Sequence, residues 1–141
     1  MSFYLDASAL LPTLVREGMS GAIDAFMAQL DRAPIVSEFA AGEVASALSR
    51  LVRMKQLDPA DVRNRLADFD AWRTTDAIAL DIEAADIRLA ALLVRRIELG
   101  LRMPDAIHAA ACRRLGHTLV TLDVRLAGPA ASLDVEILVP A

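Results

Sequence analysis

The chain has 141 residues, 55% of them hydrophobic, and 15 basic against 19 acidic residues give a formal net charge of -4. That length suits one domain with a real core, and the composition argues against disorder. The charge excludes strong bulk attraction to nucleic acid. No apolar run reaches the roughly 18 residues of a membrane span, and residues 1–15 lack the basic start of a secretory signal.

Residues 2–6 predict a first strand that ends at Asp6. Ser8-Ala9-Leu10-Leu11 opens a short helix, with Pro12 tolerable in its first turn and Gly18 as its break. Ser20 is expected to cap a second helix to about Arg32, with Ile23, Phe26, Met27 and Leu30 at helical spacing. Pro34-Ile35-Val36 reads as a short buried strand. Ser37 caps the next helix, to about Lys55, whose stripe is Val44, Leu48, Leu51 and Val52. Glu43 falls off that stripe or at its margin. Asp58-Pro59 opens a helix to about Trp72. Ala77–Leu80 is a third strand, and Asp81 is expected to cap a long amphipathic helix with Gly100 near its end. Pro104 opens a further helix that Gly116 closes. Thr118–Leu122 and Val135–Val139 are the last strands. The alternation predicts an α/β fold, a mostly parallel sheet of four to five strands covered by helices, as a single domain over residues 1–141. The one cysteine, Cys112, lies in an alanine run and reads as buried packing in a reducing, cytoplasmic setting.

Four acids stand at corresponding places in these elements. Asp6 and Asp123 end apolar strand-like runs, while Glu43 and Asp105 lie early in helices. Parallel sheets bind ligands at the carboxyl ends of their strands, so the four are expected to share one rim. A rim of carboxylates without a cationic partner is costly unless a cation fills it. Such a site predicts a divalent metal and phosphodiester chemistry, with at least one carboxyl raised in its pKa when no metal is bound. Asp6 and Asp105 are expected to bind metal most directly, and Asp123 and Glu43 to complete the site. Each acid also has a plain structural role open to it. Asp105 favours a helix dipole, Asp6 and Asp123 suit turns or caps, and Glu43 suits an exposed helix face.

The motifs around these acids resemble a known family. Tyr4-Leu5-Asp6-Ala7-Ser8-Ala9-Leu10 is similar to the opening motif of PIN domains. Glu43-Val44-Ala45-Ser46-Ala47-Leu48 resembles the family's helical glutamate motif. Pro104-Asp105-Ala106-Ile107-His108-Ala109-Ala110-Ala111 resembles its aspartate opening a small-residue helix. Leu119-Val120-Thr121-Leu122-Asp123 resembles its last strand. At this length the chain most resembles VapC-type toxins, the ribonuclease halves of toxin–antitoxin pairs. The resemblance implies a three-layer α/β/α sandwich, RNA cleavage dependent on Mg²⁺ or Mn²⁺, a homodimer, and inhibition by a small VapB-like antitoxin. By the same resemblance Asp6, Glu43, Asp105 and Asp123 are the acidic set, and the hydroxyls of Ser8 and Thr121 support it.

Other residues read as structure. Asp105-x-x-His108 has the spacing of a metal pair, but His108 is expected to be a packed or hydrogen-bonded helix residue, His117 to end that helix, and Phe69 and Trp72 to pack. No nucleophile set and no glycine-rich phosphate loop is present, which excludes the usual small-molecule α/β enzymes. Two other readings stay open: a PIN nuclease of RNA processing without an antitoxin, and a non-catalytic module that binds RNA or protein. The apolar helices near residues 20–31 and 37–55 are the expected source of an exposed dimer surface.

Overall fold

The computed structural model describes the backbone of residues 1–141 and every side chain except those of residues 130 and 131. Five short strands, β1 (Phe3–Leu5), β2 (Ile35–Ser37), β3 (Ile78–Leu80), β4 (Thr118–Val120) and β5 (Ile137–Leu138), form one sheet in the order β3-β2-β1-β4-β5. Every pairing is parallel. The helices are α1 (Ala7–Leu14), α2 (Ser20–Ala28), α3 (Glu38–Arg53), α4 (Pro59–Asp76), α5 (Ala84–Val94), α6 (Met103–Leu115) and α7 (Ala130–Leu133).

Strand alternation sorts the core into two sides. Leu5, Val36 and Val120 face the layer of α1 to α4, where they pack with Leu10, Ile23, Val44, Leu48, Val62 and Phe69. Tyr4, Ile35 and Leu119 face the other way, toward Ala111 and Cys112 of α6. Helix α6 is buried on all sides from Ala106 to Cys112, and α5 packs on it through Ala90 and Leu93. Its run of alanines lets the neighbouring layers approach closely. Arg114, near the end of α6, pairs with Asp86 of α5 at 2.9 Å through both its Nε and Nη2. This is the expected three-layer α/β/α sandwich.

The helix ends correct several expectations. Helix α1 starts at Ala7, not Ser8, and Asp6 takes the cap role open to it, accepting from the Ala9 amide. Ser20 is the first residue of α2 rather than its cap, and its hydroxyl donates to the Pro12 carbonyl at 2.8 Å and accepts from the Glu17 amide at 2.9 Å. Asp81 does not cap α5 either. Glu83 and Asp86 form a capping box there, because the pair satisfies two orphan amides reciprocally. The long helix expected to reach Gly100 stops at Val94, and a 3₁₀ turn over Ile97–Leu99 follows. Helix α4 runs past Trp72 to Asp76, with Phe69 and Trp72 stacked at 6.1 Å. Gly116 closes α6 as expected, with a positive φ of 73° that a side chain would resist. The exposed large apolar residues include only Met54 near the two helices expected to carry them. Ile87, Leu92, Ile97 and Leu115 lie instead in or beside α5 and α6. Among the described residues no helix is long and apolar enough to cross a membrane.

Leu48 is wholly buried between α3 and its neighbours. Leu48→Ala is expected to lower the unfolding free energy by about 2–5 kcal/mol, through lost transfer energy and the cavity left behind. Urea denaturation followed by circular dichroism checks this, and a loss below about 1 kcal/mol would contradict the packing described.

Candidate active site

The strand order places a switch point at β1. From it the chain runs outward through β2 and β3, then returns to add β4 on the other side. Crevices at such points, outside the carboxyl ends of the strands, are where open parallel sheets bind ligands. Asp6 follows β1 and Asp123 lies just beyond β4, so both stand at this crevice. Helix α6 ends immediately before β4 begins. It therefore runs antiparallel to that strand and brings Asp105, in its first turn, to the same edge. Helix α3 leaves the carboxyl end of β2 and carries Glu43 in its second turn.

Asp6 is the most deeply set of the four, 5% exposed. Its Oδ1 accepts from the Ser8 hydroxyl at 2.6 Å and from the Ala9 amide at 3.0 Å. Ser8 Oγ in turn lies 3.1 Å from Thr121 Oγ and accepts from the Leu122 amide at 2.9 Å. Thr121 Oγ accepts from the Asp123 amide at 3.0 Å. The two hydroxyls thus tie the end of β1 to the end of β4, and through them Asp6 is linked to Asp123. Burial pushes the Asp6 carboxyl above its ordinary range, against the opposing hydrogen bonds of Ser8 and Thr121. A raised carboxyl was the expectation, but burial raises it here, not repulsion among the four acids.

Asp105 and Asp123 are not a bare carboxylate rim. Arg125 Nε and Nη2 grip Asp123 at 2.9 and 2.5 Å, a two-pronged contact that holds its carboxyl below the usual carboxylate range. The same guanidinium lies 4.0 Å from Asp105, and Arg102 lies 3.6 Å from it. The expected lack of a cationic partner is therefore corrected. Arg125 sits in a 3₁₀ turn over Val124–Leu126, two residues beyond Asp123. Sequence periodicity gave no sign of that turn.

Glu43 is half-buried and off the apolar stripe, and its Oε1 lies 2.5 Å from His108 Nε2. His108 is buried as expected of a packed, hydrogen-bonded helix residue. Its contact with Glu43 was not read from the sequence, although Asp105 and His108 stand one turn apart on α6. The four acids are thus joined pairwise, through Ser8 and Thr121, through Arg125, and through α6 with His108. Among the described residues no three His, Cys, Asp or Glu side chains are gathered closely enough to hold one ion. A separate cleft of about 360 Å³, lined by Thr13, Leu14, Arg65, Phe69 and Trp72, contains none of the four acids.

A family profile described as the PIN domain matches residues 3–131. Among solved structures, VapBC2 from Rickettsia felis bound to a promoter DNA fragment matches with a TM-score of 0.73, 12% identity and full coverage of both chains. VapC20 from Mycobacterium tuberculosis, described as a sarcin–ricin loop cleaving toxin, matches with a TM-score of 0.70 and 20% identity over 90% of this chain and 95% of that one. A toxin–antitoxin complex from Klebsiella pneumoniae matches with a TM-score of 0.61 and 18% identity over 90% and 92%. At these identities the likeness is one of fold. No curated protein sequence matches the chain.

The raised Asp6 carboxyl has a stability consequence. The folded state holds this proton more tightly than the unfolded chain, so the group's contribution is fully present below the unfolded value and is lost as pH rises through the folded one. Asp6→Asn keeps an oxygen for the Ala9 amide and removes the buried charge. It is expected to melt above the native protein at pH 7 in metal-free buffer, with the gap closing toward pH 4. Equal or lower melting at pH 7 would contradict the account of this carboxyl.

Proposed function

This chain belongs to the PIN domain family, and from that membership we propose that it is a metal-dependent endoribonuclease, the toxin of a VapBC-type pair. The observation that carries the reading is the linked set of acids at the switch point. Asp6 is buried at a cost and kept oriented by Ser8 and Thr121, with the Asp123 amide donating to Thr121. A buried carboxylate whose surroundings raise its proton affinity is a functional candidate when it lies in a ligand crevice. The toxins and complexes of like fold support the antitoxin partner and the RNA substrate.

The donor set fits a hard cation. All four groups offer carboxylate oxygens, the ligands that Mg²⁺ and Mn²⁺ prefer. Mg²⁺ is usually held by one or two carboxylates and keeps several waters, so a gathering of three protein donors is not required. In this reading Asp6 and Asp105 would hold the ion most directly, and Asp123 and Glu43 would complete the site. Such an ion would supply charge for the phosphate oxygens and a more acidic water. The residues do the rest. Ser8 and Thr121 aim the Asp6 carboxylate, and a nearby positive charge returns that carboxyl to its ionised form. Arg125 pairs with Asp123 and lies 4.0 Å from Asp105, and would withdraw from both when a cation binds. An antitoxin arginine entering the crevice would use the same charge-assisted pairing. A homodimer belongs to this reading, with the exposed apolar residues of α5 and α6 as its surface.

Purified protein free of antitoxin is expected to cut total or transfer RNA when Mg²⁺ or Mn²⁺ is added. Cleavage is expected to vanish with EDTA and in Asp6→Asn, with the fold of the variant retained. Folded wild-type protein that cuts no RNA under either metal, or Asp6→Asn that cuts at the wild-type rate, would overturn the proposal.

A further inference from the structure

His108 is 2% exposed at the middle of α6, where every other buried position is Ala, Ile or Cys. Its ring packs against Tyr4 and Phe39, with centroids 5.5 and 5.2 Å away. An apolar side chain would fill that space. The imidazole instead spends both nitrogens on named partners. Nδ1 lies 2.6 Å from the Tyr4 hydroxyl, and Nε2 lies 2.5 Å from Glu43. The Tyr4 hydroxyl is 2.7 Å from Ser37 Oγ, which accepts from the Ala40 amide at 2.9 Å. The chain of hydrogen bonds leaves the first turn of α3, crosses β1 and α6, and returns to α3 at Glu43.

One set of donors satisfies every group along it. An ionised carboxylate only accepts, so Nε2 carries the proton of the contact with Glu43. In a neutral imidazole Nδ1 is then an acceptor, and the Tyr4 hydroxyl donates to it. The Ser37 hydroxyl donates to Tyr4 and accepts from Ala40. In this set every donor points along the chain toward Glu43, which accepts at its end. Glutamate has more rotamer freedom to lose than aspartate, so a fixed position for it needs a partner that is itself fixed.

We propose that His108 is a positioning residue, locked by Tyr4 and Ser37 with Nε2–H aimed at Glu43, and that this lock holds the Glu43 carboxylate at the carboxyl edge of the sheet. The inference rests on reading Glu43 as part of a metal-dependent nuclease site. It extends that reading to a residue that touches neither metal nor RNA.

Two measurements test it. Long-range proton–nitrogen NMR of the metal-free protein is expected to find His108 as the Nε2–H tautomer, and an Nδ1–H tautomer would overturn the proposal. Mn²⁺ binding by calorimetry is expected to weaken about 10–100-fold in His108→Phe, the usual effect of removing a group that orients a ligand. His108→Gln, whose amide nitrogen can still donate to Glu43, is expected to regain most of the affinity. Tyr4→Phe, which keeps the ring and removes the hydroxyl, is expected to fall between. Native affinity in folded His108→Phe, beside weakened binding in Glu43→Gln, would overturn the positioning role and leave the nuclease site standing. Native affinity in Glu43→Gln would overturn the role of Glu43 and the positioning inference with it. If His108→Phe does not fold, Tyr4→Phe carries the test, and its native affinity would count against the proposal.

Discussion

The constraint on which the site depends is a carboxylate kept almost out of water at the end of β1. Asp6 is 5% exposed, and burial alone drives its carboxyl toward the protonated form. The residues around it oppose that cost. Ala9 offers an amide because Asp6 begins α1, and Ser8 offers a hydroxyl because it stands two residues on. Thr121 reaches the same place because β4 lies beside β1. One local arrangement therefore starts a helix, joins two strands, and sets a charge in the crevice of the sheet. Proteins retain such costly groups where function needs them.

The other three acids show how the fold spreads charge around that point. Asp123 is held by two nitrogens of Arg125, whose guanidinium also lies 4.0 Å from Asp105 and is itself largely exposed. Glu43 is handled from the opposite side by a buried imidazole. The α1–α4 layer supplies Glu43 and the α5–α6 layer supplies His108, so their contact links the two layers over the carboxyl edge of the sheet. Metal binding, in the reading proposed, is then a competition with Arg125 more than a filling of repelling charges.

The fold was legible because each of β1, β2 and β3 is a short apolar run followed by a helix signal. Ile35-Val36-Ser37 and Leu119-Val120-Thr121 name the strand, the face and the rim position in three residues each. The positions of the four acids, at strand ends and early in helices, were legible for the same reason. What escaped was local chemistry without periodicity. Glu83 displaced Asp81 as a cap because Asp86 could answer it across three residues. Ser20 turned its hydroxyl to Pro12 O, a contact with a residue eight positions earlier. Arg125 lies in a 3₁₀ turn that no hydrophobic pattern marks. His108 looked like any packed helix residue, because its partner is 65 residues away and only the folded layers bring them together.

The central claim is that these acids serve one cation at the carboxyl edge of the sheet. Diffraction from crystals soaked in Mn²⁺, collected at the manganese absorption edge, tests it most directly. The account predicts anomalous density against the carboxylates of Asp6 and Asp105, with Arg125 withdrawn from its grip on Asp123. Saturating Mn²⁺ with no anomalous density at this edge, or density bound only at another surface, would contradict it.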